Sequence, residues 1–74
     1  MRPFTDRSGR RWDVVVGRES WGALLALFVP GDGAVPVRQS VLRASAYAEA
    51  MEELDALDDV GLQNLLDRSV EKEA

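Results

Sequence analysis

Hydrophobic positions in the first half of the chain alternate with polar ones, a pattern typical of β-strands. Apolar side chains occupy every second position in residues 11–16 and, after a gap, in residues 35–42. A short apolar segment at Phe4 comes before them and runs into a turn that begins with Asp6 and ends with Gly9, as type I turns prefer. The alternation predicts short antiparallel strands joined by tight turns.

Residues 21–29 are apolar throughout and fit two descriptions. Ser20 could cap a helix over this segment, and its leucines and alanines favour one. Gly22 would then lie in the first helical turn, and the helix would be apolar on every side. A strand fits the length and ends naturally at the turn sequence Pro-Gly-Asp-Gly in residues 30–33. We therefore predict a strand.

The second half of the chain has the spacing of two helices. Ser45 is a candidate N-cap for the first, whose apolar face is predicted at Tyr47, Met51, Leu54 and Leu57. Asp58 or Asp59 caps the second, and its buried stripe is predicted at Leu62, Leu65 and Leu66, continued by Ser69 or Val70.

Together these elements predict an α+β fold: a small antiparallel meander of three to four strands followed by two C-terminal helices packed on one face. The meander covers residues 1–43, the helices cover residues 44–70, and a frayed tail covers residues 71–74. At 74 residues the chain forms a single domain.

The strand at residues 21–29 carries no charge on either side, although an antiparallel strand with one wet face normally alternates. Two short helices cover one face of a small sheet. We predict that the other face, carrying Leu24 and Phe28, is an association surface with Phe28 as its anchor. Trp12 and Trp21 are either core residues or further anchors of that interface.

Charge is unevenly distributed along a chain whose net charge is −4. The first 43 residues hold seven arginines and four acidic residues, whereas the rest hold two basic and nine acidic residues. Arg7, Arg10, Arg11 and Arg18 are candidate electrostatic docking residues. Because tryptophans lie near them, a single-stranded nucleic acid is an alternative partner, although the acidic balance of the chain argues against it.

No motif predicts catalysis, a cofactor or a metal site. Gly17 and Gly22 have the spacing of a phosphate-binding loop, but the lysine and hydroxyl that should follow the second glycine are missing. Ser20 has no histidine to act as its base, because the chain contains none. Residues 55–60 lack the ligand order of a calcium loop. The stretch Gly-Arg-Glu-Ser at residues 17–20 is predicted to be a hairpin turn.

These observations predict a non-enzymatic protein-interaction module, a bacterial regulator or adaptor that docks on another protein or on a second copy of itself. The alternative is a nucleic-acid-associated factor that uses the arginine-rich N-terminal hairpin. With no continuous apolar leader segment near Met1 and no apolar stretch near the roughly 20 residues that span a bilayer, we expect a cytoplasmic location and no membrane partner. The absence of cysteine is compatible with that location.

Overall fold

A computed structural model describes residues 2–33 and 35–72 of the protein. Within them, a five-stranded antiparallel sheet in chain order and two helices between its last two strands form the predicted α+β fold. The strands are β1 (Arg2–Thr5), β2 (Arg11–Arg18), β3 (Leu24–Pro30), β4 (Arg38–Val41) and β5 (Val70–Glu71), and the helices are α1 (Tyr47–Ala56) and α2 (Asp59–Asp67).

The first two hairpins have the same construction. In the first loop the Gly9 N–H donates to the Asp6 carbonyl at 3.0 Å, and Gly9 has a φ of +90°. In the second loop the Gly22 N–H donates to the Glu19 carbonyl at 2.9 Å, with a φ of +101° at Gly22. A type I turn followed by a left-handed glycine closes both loops. The polar stretch at residues 17–20 thus ends β2 and opens a hairpin turn.

Strand β1 forms one edge of the sheet, and its Pro3 lies opposite Asp13 of β2.

Strand β4 is shorter than the predicted strand at residues 35–42 because of two other prolines, Pro30 and Pro36. Hydrogen-bonded pairs alternate along an antiparallel ladder. Counting from the Leu42–Leu24 hydrogen bond of 2.9 Å, the first such pair beyond β4 would join Pro30 to Pro36. Neither proline has an amide hydrogen, so the pairing stops there.

The core lies between the helices and one side of the sheet, which we call the inner face. The inner face contributes Phe4, Trp12, Val14, Leu24, Ala26 and Phe28. The helices contribute Ala50, Leu54, Leu62, Leu65 and Leu66. At the centre, the Phe28 ring meets those of Phe4 and Trp12 edge-on, with centroids 6.4 and 6.2 Å apart. The predicted buried stripe of α2 is confirmed.

The buried side of α1 differs from the prediction. Ala50 and Leu54 are buried, whereas Tyr47 and Met51 are largely exposed. The small side chain of Ala50 faces the sheet and is fully enclosed, so the buried side of α1 is turned by roughly 40° from the predicted one and still includes Leu54. Leu57 packs against the edge of the core as expected.

The two helix N-termini also differ. Ser45 does not cap α1; the N-cap position is Ala46, which offers no side-chain hydrogen bond. Asp58 caps α2 as predicted, and its carboxylate accepts a hydrogen bond from the Gly61 N–H at 2.8 Å. A side-chain acceptor at this position satisfies one of the amides that the first helical turn leaves unpaired.

The predicted frayed tail is partly ordered. Val70 and Glu71 form β5 opposite Gln39 and Arg38, and the Lys72 N–H donates to the Val37 carbonyl at 2.8 Å. The Arg38 guanidinium fixes the chain just before β5, since it donates to the hydroxyl and carbonyl oxygens of Ser69 at 2.8 and 2.7 Å. Residues 73 and 74 lie outside the described part of the chain.

Candidate protein-interaction face

Opposite the core, the sheet has a second side that we call the outer face. Side chains alternate between the two sides of a strand, so its residues follow from the register. The core cluster joins the helices to inner-face residues and includes none from the outer face. The apolar part of the outer face consists of Val15, Leu25, Leu27, Val29, Val41 and Val70.

This arrangement reverses the predicted roles of the two faces. Leu24 and Phe28, predicted to form an open association surface, are 1 % and 0 % exposed and lie under the helices. The prediction was wrong because the register puts Phe28 opposite Val14, on the same side as Trp12. That side collects the aromatic rings, and burying it against the helices removes the most apolar surface from water.

The two tryptophans have different environments. Trp12 is buried in the core, so of its two predicted roles, core residue or interface anchor, the structure shows the first. Trp21 is 73 % exposed and lies in the hairpin turn before β3 rather than inside that strand. It is therefore not a core residue, and it lies beyond the end of the outer face.

The centre of the outer face is a line of residues that crosses four strands. Val15 lies opposite Leu27, Leu27 opposite Gln39, and Gln39 opposite Val70. We call these four residues the central row. Three of them are apolar, and neighbouring side chains in such a row are close enough to contact one another directly. The central row therefore gives the middle of the outer face three apolar side chains, with Gln39 between Leu27 and Val70.

The outer face is recessed at one end. A Cβ atom at Gly17 would lie 2.5 Å from Cδ1 of Leu27, so the leucine side chain extends across the space that the glycine leaves open. Leu25, directly opposite Gly17, is only 3 % exposed. Val41, directly opposite Leu25 on β4, is 56 % exposed, and Val29, four residues further along β3, is 37 % exposed. Two valines thus project beyond a recessed leucine.

Gln39 is the polar member of the central row. Its Oε1 atom is buried and accepts no hydrogen bond from any residue in the described part of the chain. A buried acceptor without a donor destabilises the fold, since it has lost its hydrogen bonds to water. This buried acceptor could not be predicted from the sequence, because Gln39 occupies a regular position in an alternating strand.

The structure does not gather the four predicted docking arginines into one patch. Arg7 forms an ion pair with Asp67 at 2.8 Å, and Arg10 forms one with Asp32 at 3.4 Å. Arg11 and Arg18 are exposed at opposite ends of β2 and, seven positions apart, on opposite sides of the sheet. Two of the four charges are thus partly neutralised by carboxylates.

A cleft of about 920 Å³ lies beside the first hairpin and the start of the β3–β4 loop. Its charged lining residues are Arg10, Arg11, Asp13, Asp32 and Asp59. Because cations and anions are mixed there, the cleft does not select for a ligand of either charge.

The acidic residues of the helices also form no site. Across residues 2–33 and 35–72 there is no group of three or more carboxylates arranged to hold a metal ion. Neither described helix is long and apolar enough to cross a membrane.

Comparison with known proteins identifies no relative. No protein-family model, no curated protein and no solved structure matches the chain.

Proposed function

We propose that this protein is a non-enzymatic protein-interaction module that docks through its outer face, as a regulator or adaptor. The observation that carries the proposal is the central row with its exposed valine neighbours, Val29 and Val41. A sheet face in contact with water is normally polar at these positions. An apolar patch left open on a small protein typically marks a contact surface.

The distribution of charge supports the same surface. The exposed side of the helices carries acidic residues: Glu49, Glu52, Asp55, Asp59 and Asp67. On the outer face, the register places the charged side chains of β2 and its continuation near the two ends of that strand, at Arg11, Asp13 and Glu19. Removing charges from water costs free energy that a contact must recover. The outer face is thus the side that a partner protein can cover with the smallest free-energy cost of desolvating charges.

Side-chain chemistry supports the non-enzymatic part of the proposal. The chain has no histidine and no cysteine, and Ser20 lies in a hairpin turn. The pKa of Asp6 is clearly lowered, and both of its carboxylate oxygens accept hydrogen bonds within the first hairpin. A carboxylate with a lowered pKa and full hydrogen bonding is a poor proton acceptor near neutral pH.

Site-specific photocrosslinking tests the proposal. A photoreactive amino acid at Val41 probes the outer face, and the same group at Val60 of α2 is the matched control, since both valines are exposed, at 56 % and 68 %. We expect covalent protein adducts from position 41 and none from position 60 in cells that express the protein.

Adducts of equal yield from both positions, or none from position 41, would contradict docking through the outer face. Adducts that disappear on nuclease treatment would instead support the nucleic-acid alternative. That alternative also predicts an affinity that falls steeply with salt.

A further inference from the structure

We infer that the occupant of the outer face is a second copy of this chain, stacked face to face about a two-fold axis that runs along the central row. This inference rests on the proposed function and names its partner. Each copy then places its own Val15 and Leu27 against the same residues of the other copy. A two-fold contact requires a surface that is complementary to itself, so the positions on either side of the central row decide whether it can form.

The charges of β2 are complementary under this symmetry. Arg11 lies four residues before Val15, and Glu19 lies four residues after it. The Glu19 N–H donates to the Ala23 carbonyl at 2.8 Å, so the β2–β3 ladder continues through Glu19 and keeps it on the outer face. The axis reverses the direction of β2, which brings Arg11 of each copy towards Glu19 of the other. Each dimer then has two ion pairs, each between Arg11 of one copy and Glu19 of the other.

The other charged side chain that β2 places on the outer face meets no like charge. Asp13 lies two residues before Val15, so the axis brings it towards Gly17 of the second copy. A two-fold axis parallel to the strands would instead place the same end of β2 from both copies together, with Arg11 near Arg11 and Asp13 near Asp13. Like charges facing each other across an interface disfavour that arrangement. Charge therefore selects the axis along the central row.

The apolar side chains of β3 differ in how far they project from the sheet, and the two-fold axis pairs a projecting one with a recessed one. With Leu27 on the axis, Val29 of one copy meets Leu25 of the other. Val29 projects into solvent at 37 % exposure, and Leu25 is recessed at 3 %. A projecting side chain over a recessed one is how the side chains of stacked sheets interdigitate. Gln39 also lies on the axis, and because its amide carries no charge it faces its own copy without electrostatic repulsion.

The size of the surface sets the expected strength. At roughly 3.3 Å per residue and 4.8 Å between strands, the sheet presents a projected face of about 400 Å². Two such faces bury roughly 800 Å² in total, which is below the size of a standard stable interface and in the range of weak contacts. We therefore expect a dimer that dissociates in the micromolar range rather than an obligate one.

Sedimentation equilibrium of the full chain tests the dimer, and charge reversal tests its axis. We expect Arg11→Glu alone and Glu19→Arg alone each to weaken self-association by about tenfold, since each alters two exposed ion pairs per dimer. The double variant restores the opposite-charge pairs and should recover most of the loss. Arg68→Glu and Glu52→Arg, exposed on the helix side, are the matched controls and should leave association unchanged.

Crosslinking through introduced thiols provides a second readout, because the chain has no cysteine of its own. Stacked sheets lie about 10 Å apart, too far for a disulfide, so a short bifunctional thiol reagent is used. Val15→Cys, on the axis, should link two copies efficiently. Val60→Cys, on α2, should not.

The outcomes separate this inference from the proposed function. A chain that stays monomeric up to high micromolar concentration, while Val41 still crosslinks to a different protein, overturns the self-association and retains the docking face. A dimer that is not restored by the double charge reversal, and not captured through Val15→Cys, overturns the axis.

Discussion

The indole N–H of Trp12 donates a hydrogen bond to Oδ2 of Asp6 at 2.9 Å, joining a core side chain to the turn that precedes its strand. The other carboxylate oxygen accepts three more hydrogen bonds, from the N–H and hydroxyl of Ser8 and from the Arg10 N–H, at 2.7 to 3.0 Å. Asp6 therefore organises the first hairpin and fixes the indole ring beneath it.

This network makes stability depend on pH. Desolvation of Asp6 acts to raise its pKa, but the hydrogen bonds outweigh it and lower the pKa from 3.8 to about 2. A lowered pKa in the folded state stabilises the fold above pH 3.8, and this contribution is lost as the pH falls from 3.8 towards 2. Urea denaturation across that range should show the loss in the wild type and a smaller one in Asp6→Asn. Asp55→Asn, on the exposed side of α1, should behave like the wild type.

Phe28 and Val41 should respond oppositely to the same substitution. Phe28→Asp places a carboxylate in the fully buried aromatic cluster and should prevent folding, because burying a charge there costs free energy and the neighbouring Arg38 already donates its hydrogen bonds to Ser69. Val41→Asp, on the exposed outer face, should retain the circular dichroism spectrum and lose self-association. A folded Phe28→Asp protein would contradict the assignment of the inner face to the core.

Gln39→Met should stabilise the protein by about 1 kcal/mol, because it removes a buried acceptor that has no donor. The measurement is urea unfolding at low protein concentration, where monomers dominate. Gln63→Met is the control: its Oε1 accepts a hydrogen bond from the Arg7 N–H at 2.8 Å, so its loss should destabilise the fold. Destabilisation by both substitutions would show that the Gln39 amide is hydrogen-bonded in solution.

Gly17→Ala should cost about 1–3 kcal/mol because the added methyl group overlaps the Leu27 side chain. A double-mutant cycle with Leu27→Ala checks the cause. The two substitutions together should cost less than the sum of their separate effects, since the shortened side chain no longer meets the methyl group. Gly22→Ala has open space around it and a φ of +101°, so its cost should not depend on residue 27.

The sequence predicts the elements of this fold better than their orientation. Alternation identifies β2, and an aspartate at the N-cap identifies α2. The hydrophobic pattern of β3 does not show which side of the strand faces the core, because both sides are apolar. The register settles the question: the hairpin closed by Glu19 and Gly22 places Val14 opposite Phe28. Reading the turn type from the glycine at position 22 would have supplied that register in advance.

The orientation of α1 and the interaction face were harder to predict. Alanine is only weakly apolar, so Ala50 does not stand out beside Tyr47 and Met51 in a hydrophobic pattern, although close packing against a sheet favours the smaller residue. The central row joins residues from four separate strands, and its alignment becomes visible only when the pairing of all of them is known.

The proline in the first strand has a consequence for how the protein avoids aggregation. Counting from the hydrogen bond that the Asp6 N–H donates to Arg10, the backbone of Pro3 points away from β2, where proline has no hydrogen to donate to an incoming strand. The other edge strand of the sheet is β5, which is only two residues long. Neither border is a good template for adding strands without limit. Association through the outer face, by contrast, ends at two molecules.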